Sequence, residues 1–245
     1  MKLNFLLINK PVDWTSHDVV AYIRSFVRKN LNRYGIDPTT KNIRVGHAGT
    51  LDPFATGLLI IGVGRESTKR LDEFKNLPKV YEAVLKLGAT TDTYDCTGEI
   101  LKQVQSLPST GLGDDSINKI TKKQVREVLK TFLGKQSQIP PMFSAKKVKG
   151  KKLYELARQG IEIERRPCEI EIYKIKLTGY KYPYLSIHVK CSTGTYIRTL
   201  AHDIGQKLGV GAYCDELKRT RIGKHKLWRA RKVPFNSFID KFTKS

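Results

Sequence analysis

The apolar residues of this chain fall into short segments with two different spacings, and this pattern constrains the fold more than any other feature. Every second residue from Tyr81 to Leu87 is apolar, which is typical of a strand with one buried face. From Val19 to Val27 the apolar residues recur on one face of a helix instead. Segments of both kinds are interspersed without strict alternation. The pattern therefore predicts a mixed α/β (α+β) fold around an extended sheet.

The same criteria, with capping residues and glycines as boundaries, place the other elements. Strands are predicted at 4–11, 57–64, 168–178 and 184–191. Helices are predicted from Thr15 or Ser16 onward, at 65–74, from Thr121 to Gly134, at 151–160, and at 192–209 with Thr195 as the N-cap. The segment 106–116 is rich in Ser, Gly and Pro and is predicted to be a connecting loop.

No segment has the length or composition of a membrane span. The longest apolar runs are residues 5–8 and 57–64, far below the ~20 residues that a spanning helix needs. The N-terminus lacks both a long apolar region and a small-residue cleavage site, so it does not resemble a secretory signal. We therefore expect a cytoplasmic protein.

Motifs for metals and cofactors are also missing from the sequence. Cys96, Cys168, Cys191 and Cys214 are far apart, form no C-x-x-C pair and have no histidine at ligand spacing, so we expect free thiols. The segment GVGRESTK (62–69) lacks the G-K-[ST] ending of a phosphate-binding loop. The sequence predicts no metal site and no cofactor.

The charge balance points to a polyanionic partner. The chain has 45 Lys and Arg against 23 Asp and Glu, a net charge of +22. Two dense basic runs are prominent, KKVKGKK (146–152) and KRTRIGKHKLWRARK (218–232). Either run alone is compatible with a solvated face, but both together with a basic first helix favour a surface for RNA read by shape. The predicted RNA-backbone contacts are Lys146, Lys147, Lys149, Lys151, Lys152, Arg219, Arg221, Arg229 and Arg231.

One acidic residue is isolated in an unusual setting. Asp52, in GHAGTLDPFATGLL (46–59), is the only carboxylate between Thr39 and Arg65. Asp followed by Pro is a good helix start, so Asp52 has an ordinary interpretation as an N-cap. The same turn is equally able to present the carboxylate outward, because the surrounding glycines let a ligand approach the backbone.

The segment H-A-G-T-L-D-P-F-A-T-G-L-L (47–59) closely resembles the signature loop of the TruB family of tRNA pseudouridine-55 synthases, roughly H-x-G-T-L-D-P-x-A-x-G-x-L. Segments 10–20, 79–100, 139–162 and 191–213 resemble further family blocks, in the family's order. Asp13 stands where the family usually has glycine. The resemblance implies a pseudouridine synthase fold, an extended, largely antiparallel sheet flanked by helices with a central active-site cleft.

The resemblance also implies an activity: isomerisation of a uridine in the T-loop of tRNA, by a monomeric enzyme without metal or cofactor. Asp52 matches the family's nucleophile, Arg198 the arginine that pairs with it, and Tyr81 the tyrosine that stacks on the target base. A neighbouring guanidinium keeps a carboxylate ionised and oriented. Tyr81 has the alternative interpretation of an ordinary inward strand residue.

Four more residues match family positions. His47, Tyr196 and Leu217 match the pocket for the flipped nucleotide. Each also has an ordinary interpretation: His47 as a hydrogen-bonding residue of a loop, Tyr196 as an aromatic residue at a helix start, and Leu217 as a core leucine. Lys69 matches a recurrent family position. We expect a catalytic domain at 1–232 and a short C-terminal helix or tail at 233–245, without the C-terminal RNA-binding (PUA) domain of typical bacterial members.

Two other functions compete with a stand-alone synthase. One is a guide-RNA-dependent pseudouridine synthase subunit, as in the related archaeal and eukaryotic branch. The other is an RNA-binding chaperone that helps tRNA to fold. The matches at Asp52, Tyr81 and Arg198 favour catalysis.

Overall fold

Two units make up the part of the chain that the computed structural model describes, which comprises residues 4–34, 36–37, 39–40, 42–103, 120–144, 147–148, 150–157 and 159–234. Unit 1 contains Met1–Lys79 and Lys218–Ser245, and unit 2 contains Val80–Leu217. Strand β12, Ala212–Ile222, contributes residues to both units.

Unit 1 combines a small sheet with helices. Its other strands are β1 (Asn4–Lys10), β2 (Val45–Ala48), β3 (Thr56–Val63), β13 (His225–Lys226) and β14 (Arg231–Lys232). Its helices are α1 (Ser16–Arg28), α2 (Arg65–Lys69) and α3 (Asp72–Lys75), with 3₁₀ turns at Leu31–Tyr34 and Leu227–Arg229. The strand order is β14-β1-β3-β12, with β2 also paired to β3 and β13 to β12. Strand β3 pairs antiparallel with β1 and β2, and parallel with β12.

Strand β3 is the centre of unit 1 because both of its faces are covered. Leu59 and Ile61 belong to a cluster that includes the buried face of α1, whereas Leu58 and Ile60 belong to a second cluster with Leu71. Successive side chains of a strand point to opposite faces, so a strand between two apolar layers is a continuous apolar run. The predicted buried strand at 57–64 is confirmed.

Helix α1 begins as the sequence predicts. The Thr15 hydroxyl accepts a hydrogen bond from the Asp18 backbone N–H at 3.0 Å, and the Asp18 carboxylate accepts one from the Thr15 N–H at 2.7 Å. This reciprocal capping box satisfies two of the N–H groups that the first turn leaves open. The predicted inner stripe, from Val19 to Val27, is buried.

Unit 2 contains the remaining elements. Its strands are β4 (Lys79–Leu87), β5 (Ala89–Thr91), β6 (Ile100–Gln103), β7 (Gly134–Gln138), β8 (Lys147–Val148), β9 (Lys151–Lys152), β10 (Cys168–Lys181) and β11 (Tyr184–Cys191). Its helices are α4 (Lys122–Lys130), α5 (Leu153–Ala157) and α6 (Ile197–Lys207). The strand order is β12-β4-β11-β10-β7, with two separate hairpins, β5-β6 and β8-β9. Strand β10 pairs antiparallel with β7 and β11.

The alternation predicted for unit 2 is present in its core. Leu85 in β4 and Leu185, Ile187 and Val189 in β11 are almost fully buried. Helix α4, which has a capping box at Thr121, packs against β10 and α6. The mixed α/β class with largely antiparallel strands is confirmed. The predicted loop at 106–116 lies outside the described residues.

Two helix predictions need correction. The single helix predicted at 65–74 consists of α2 and α3, separated by Arg70 and Leu71. The Leu71 side chain packs closely over Gly46 and Gly62, a tertiary contact that the spacing of residues does not reveal. The helix predicted at 151–160 is confirmed only for Leu153–Ala157, because residues 151–152 pair in β9.

Candidate active site

Asp52 lies in the loop that joins β2 to β3. The two strands pair antiparallel, with Ala48 opposite Ile60, so the intervening residues must reverse the chain. The Ala55 N–H donates to the Asp52 carbonyl at 3.1 Å, which closes a turn, and residues 51–55 contain no helix. The alternative interpretation of Asp52 as a helix N-cap is therefore wrong. We call residues 49–55 the Asp52 loop.

A buried lysine holds one side of the Asp52 loop. Lys10, at the end of β1, is 0% exposed. Its ammonium group donates to the carbonyl oxygens of Pro11 at 2.8 Å, Trp14 at 2.5 Å and Pro53 at 3.0 Å. Burial lowers the pKa of Lys10 to about 8, and the negative charge of Asp52 is the largest influence in the other direction. Lys10 is the first residue of the segment 10–20 that resembles a family block, but it is not among the predicted site residues.

The segment after Lys10 makes two more contacts with the Asp52 loop. The Asp13 N–H donates to the Pro53 carbonyl at 2.9 Å, and the Ser16 hydroxyl accepts from the Leu51 N–H at 2.9 Å. Asp13 has φ of 65°, a left-handed conformation that glycine adopts without strain and that aspartate tolerates better than most residues. This conformation explains why glycine is common at this position in the family that the sequence resembles.

Arg219 holds the other side of the Asp52 loop and corrects one prediction. It is 1% exposed, and its guanidinium donates to the carbonyl oxygens of Leu58 at 2.8 Å, Gly49 at 2.8 Å and Thr50 at 3.4 Å. The assignment of Arg219 as an RNA-backbone contact is wrong, because a side chain buried among carbonyl groups does not reach a phosphate. Gly57 has φ of 107°, and an added Cβ there would lie 2.4 Å from the Arg219 carbonyl oxygen. The two strands approach too closely for any other residue.

His47 lies in β2, just before the Asp52 loop. Burial, followed by the positive charges of His17 and Arg219, lowers its pKa to about 4. The His17 ring stands edge-on at a centroid distance of 5.6 Å. Among the described residues, the buried Nδ1 atom of His47 has no hydrogen-bond partner. His47 is therefore a neutral imidazole near neutral pH, suited to hydrogen bonding or stacking rather than to charge pairing.

Arg198 is the second residue of α6 and lies in unit 2. It is 3% exposed, and Nη1 donates to the Asp95 carboxylate at 3.1 Å and to the Thr93 carbonyl at 2.9 Å. Nη2 donates to the Phe143 carbonyl at 2.7 Å. These bonds fix both the position and the plane of the guanidinium.

The Asp95 carboxylate is held in turn by its own loop. Its Oδ1 accepts from the Thr97 N–H at 3.0 Å, the Thr97 hydroxyl at 2.6 Å and the Thr93 hydroxyl at 2.9 Å. Asp95 lies in the segment 79–100 that resembles a family block, but it is not among the predicted site residues. The T-x-D-x-T spacing was the available signal, since Asp and Thr two residues apart form such local turns.

The start of α6 differs from the prediction. The N-cap is Tyr196, not Thr195, whose hydroxyl donates to the Ser192 carbonyl at 3.0 Å. Gln138 takes over the capping role: its side-chain oxygen accepts from the Tyr196 N–H at 2.8 Å, and its nitrogen donates to the Tyr196 carbonyl at 3.0 Å. Tyr196 is half-buried, so its ring position depends on a buried residue from β7.

The other predicted pocket residues are distributed over both units. Tyr81 in β4 and Leu217 in β12 are buried and belong to unit 2. Lys69 in α2 belongs to unit 1, is exposed and forms an ion pair with Glu66 at 3.3 Å. Asp52 and His47 also belong to unit 1.

The predicted RNA-backbone residues other than Arg219 have varied settings. Arg221 is exposed, Arg231 is half-buried, and Arg229 is exposed with its guanidinium 4.7 Å from the ring centre of Trp228. Trp228 is itself 71% exposed. Lys147 lies in β8, and Lys151 and Lys152 lie in β9. Lys146 and Lys149 lie outside the described residues.

Within the described ranges, no group of three or more His, Cys, Asp or Glu side chains is arranged to hold a metal ion. No helix in the described part of the chain has the length and hydropathy required to cross a bilayer. Cys96 is exposed, Cys168 is half-buried, and Cys191 and Cys214 are buried.

Comparison with family models decides the assignment. Residues 38–197 match the model described as TruB family pseudouridylate synthase (N terminal domain), and residues 198–242 match the model described as tRNA pseudouridylate synthase B C-terminal domain. The chain belongs to the TruB family. The N-terminal match contains Asp52 and Tyr81, and the C-terminal match begins at Arg198.

Relatives from several bacteria support the TruB assignment. A protein named tRNA pseudouridine synthase B from Protochlamydia amoebophila is 47% identical over 218 residues, which cover 89% of this chain and 73% of the relative. The protein of that name from Parabacteroides distasonis is also 47% identical, over 85% of its length. The one from Chlorobaculum tepidum is 40% identical over 243 residues, which cover 99% of this chain and 92% of the relative.

A solved structure shares the fold of this TruB chain. A chain in the crystal structure of a Cbf5–Nop10–Gar1 complex superimposes with a TM-score of 0.65 at 26% identity. The match covers 94% of the present chain but only 52% of that chain. The present chain thus spans about half the length of this neighbour.

Proposed function

We propose that this protein is a tRNA pseudouridine synthase that converts uridine to pseudouridine in the T-loop of tRNA, at position 55. The observation that carries the proposal is the Asp52 loop. It holds a single carboxylate, is fixed by Lys10, Ser16 and Arg219, and belongs to a chain 40–47% identical to proteins named tRNA pseudouridine synthase B.

In the proposed reaction, Asp52 is the nucleophile. The bond between N1 of uracil and C1′ of ribose breaks, the base rotates, and C5 of the base bonds to C1′. The C5 proton is released and N1 gains a proton, so the product is an isomer of the substrate. A carboxylate nucleophile divides a difficult glycosyl transfer into easier steps.

Arg198 and Tyr81 have supporting roles in this proposal. We assign Arg198 to the ionised Asp52, as the family resemblance implies, and the observed bonds to Asp95 and Phe143 keep its guanidinium in one orientation. Tyr81 would stack on the target base and take part in proton transfer. His47, Tyr196, Leu217 and Lys69 are proposed contacts of the flipped nucleotide, whose extrusion costs a few kcal/mol.

The net charge of +22 supports tRNA as the partner, because each neutralised phosphate releases counterions. The exposed Arg221 and Arg229 remain proposed backbone contacts, together with Arg231 and the lysines at 146, 147, 149, 151 and 152. We assign the reaction to residues 1–232, in a monomeric enzyme that meets its tRNA in the cytoplasm.

The experiment is a tritium-release assay. Purified protein is incubated with tRNA transcript carrying tritium at uridine C5, without guide RNA, beside an Asp52→Asn variant that preserves size and removes the charge. We expect release by the native chain alone, at one T-loop uridine. Release by both proteins, or at scattered uridines, would contradict the proposal.

The same assay separates the competing functions. A guide-dependent subunit would release tritium only after guide RNA is added. A tRNA-folding chaperone would accelerate folding of the transcript without release, and Asp52→Asn would leave that activity intact. The identity of 40–47% with the synthase B proteins, against 26% with the Cbf5–Nop10–Gar1 chain, favours the stand-alone reaction.

A further inference from the structure

A groove of about 760 Å³ lies in unit 1, between α1, β2 and α2. Its lining includes three arginines (Arg24, Arg28 and Arg44), the apolar residues Ile43, Val45 and Leu71, and His47. We call it the arginine groove. None of the residues predicted to contact the RNA backbone lines this groove. Those predictions came from the two dense basic runs, and the groove arginines lie outside both runs.

The rim of the groove is uniformly basic. Arg24 and Arg28 are one helical turn apart on α1, a rise of ~6 Å, and Arg44 precedes β2. All three are exposed. No lining residue is acidic, and no carboxylate of the described chain forms an ion pair with any of the three. Their charges are therefore not neutralised by a neighbouring carboxylate of the described chain, and the Arg24 guanidinium donates only a long hydrogen bond, 3.4 Å, to the Val45 carbonyl.

The floor of the groove has a different character. Ile43, Val45 and Leu71 are buried and apolar. The Leu71 side chain packs directly over Gly46, where an added Cβ would lie only 3.0 Å from Leu71 Cδ1. A basic rim over an apolar floor is suited to a chain of phosphates that carries flat or apolar groups between them. It is less suited to a single small anion, which the floor would not contact.

The groove shares one residue, His47, with the predicted site. His47 lines the groove, lies five positions before Asp52 in the sequence, and is neutral because burial lowers its pKa to about 4. Its Nδ1 atom is buried and has no hydrogen-bond partner among the described residues. An RNA strand lying along the groove would contact His47, which precedes the Asp52 loop in the chain.

We propose that the arginine groove binds the sugar-phosphate backbone of the RNA substrate, with Arg24, Arg28 and Arg44 on phosphates of the strand that leads to the flipped uridine. This inference rests on the proposed function and adds a binding site to it. The guanidiniums supply charge-assisted hydrogen bonds to phosphate oxygens, and His47 contacts the same strand.

The test compares two double variants with the same change of charge. Arg24→Ala with Arg28→Ala removes two groove arginines. Lys122→Ala with Arg126→Ala removes an exposed basic pair at the same spacing on α4. The measurement is the dissociation constant of an unmodified tRNA transcript as a function of salt concentration.

For the groove pair we expect several-fold weaker binding at moderate salt. The slope of log K against log salt should fall by about 1.4–1.8, since each lost phosphate contact removes about 0.7–0.9. We expect KM for tRNA to rise more than kcat falls. The α4 pair should bind as the native chain does. Equal effects of the two pairs, or an unchanged slope for the groove pair, would overturn the inference.

Two further readings complete the design. Tritium release by the native chain is measured on the same preparation. If there is no release but the salt slope changes only in the groove pair, the proposed function is refuted and the inferred binding site is retained. If tritium is released but the salt slope of the groove pair is unchanged, the proposed function is supported and the inferred binding site is refuted. Calorimetric titration with uridine monophosphate tests whether the groove is a site for a small anion. The inference would also be overturned if uridine monophosphate bound as tightly as tRNA and the groove pair lost this binding.

Discussion

Among the described residues, each unit buries one arginine, and the two are stabilised in different ways. In unit 1, the Arg219 guanidinium donates to the backbone carbonyl groups of Gly49, Thr50 and Leu58. In unit 2, Arg198 donates to a buried carboxylate, Asp95, as well as to carbonyl groups. The first arrangement ties a loop to a strand, and the second fixes a charged group for use.

The difference has an energetic consequence. Removing one member of a buried ion pair leaves an uncompensated charge, which costs more than leaving carbonyl groups without a donor. The two arginines are therefore expected to respond differently to the same substitution, even though both are almost completely buried.

The largest effect is expected at Arg198. Arg198→Met should lower the free energy of unfolding by about 3–5 kcal/mol, because Asp95 is left as an unpaired buried charge. Adding Asp95→Asn, which removes the charge but keeps an oxygen for the Thr93 and Thr97 donors, should restore much of the loss. Urea denaturation followed by circular dichroism measures both. Failure of the second substitution to recover stability would show that the pair is not the source of the effect. Activity should remain lost in both variants.

A smaller effect is expected at Arg219. Arg219→Met should cost about 1–3 kcal/mol, because it leaves carbonyl groups of the Asp52 loop unsatisfied but removes a buried charge at the same time. Arg219→Lys should not restore stability fully, since an ammonium lacks the planar fork that reaches three carbonyls. A loss as large as that for Arg198→Met would remove the distinction between the two units.

Lys10 extends the comparison to a buried cation that can titrate. Its pKa is about 8 in the folded chain against an ordinary 10.5. Between these values the unfolded chain holds more protons, so the free energy of unfolding should rise with pH in this window and fall as pH drops toward 8. The rise should disappear in Lys10→Met. The exposed Lys29→Met is the control, and the same pH dependence in Lys10→Met and the native chain would contradict the prediction.

The smallest effect is expected at His47. Because its pKa is near 4, it is neutral from pH 5.5 upward, and His47→Gln should raise KM for tRNA without changing the shape of the pH profile of kcat/KM in that range. An inflection near pH 6.5 that the substitution removes would show that the imidazole is protonated in use.

Much of the fold was predictable, because it depends on local periodicity and capping. The inner stripe of α1 and the alternation in β4 and β11 follow from the spacing of apolar residues, and Thr15 and Thr121 cap their helices as expected. Errors arose where a distant contact decides the local structure. Gln138, 58 residues away, holds the start of α6 at Tyr196.

The site was predicted less completely, for a physical reason. Asp52 is recognisable because its motif is contiguous in the sequence. Arg219 sits in a basic run that looks like a solvated surface, and only the pairing of β12 with β3 shows that it is buried. Lys10 is likewise found only when the residues around it are known, since nothing in a sequence distinguishes a buried charge from an exposed one. Asp95 has a local signal in its T-x-D-x-T spacing, but that spacing does not show that the carboxylate is buried and pairs with Arg198.

The chain has two tryptophans, and their settings make them optical reporters. Trp14 is half-buried, stands edge-on to Tyr22 at 5.8 Å, and its carbonyl accepts from Lys10. Trp228 is exposed beneath the Arg229 guanidinium. A Trp228→Phe variant keeps Trp14, whose fluorescence would report on the contacts that hold the Asp52 loop during unfolding. A Trp14→Phe variant keeps Trp228, whose fluorescence would report on the basic run 218–232 as bound RNA quenches it. Binding and loop order can thus be timed separately without an added dye.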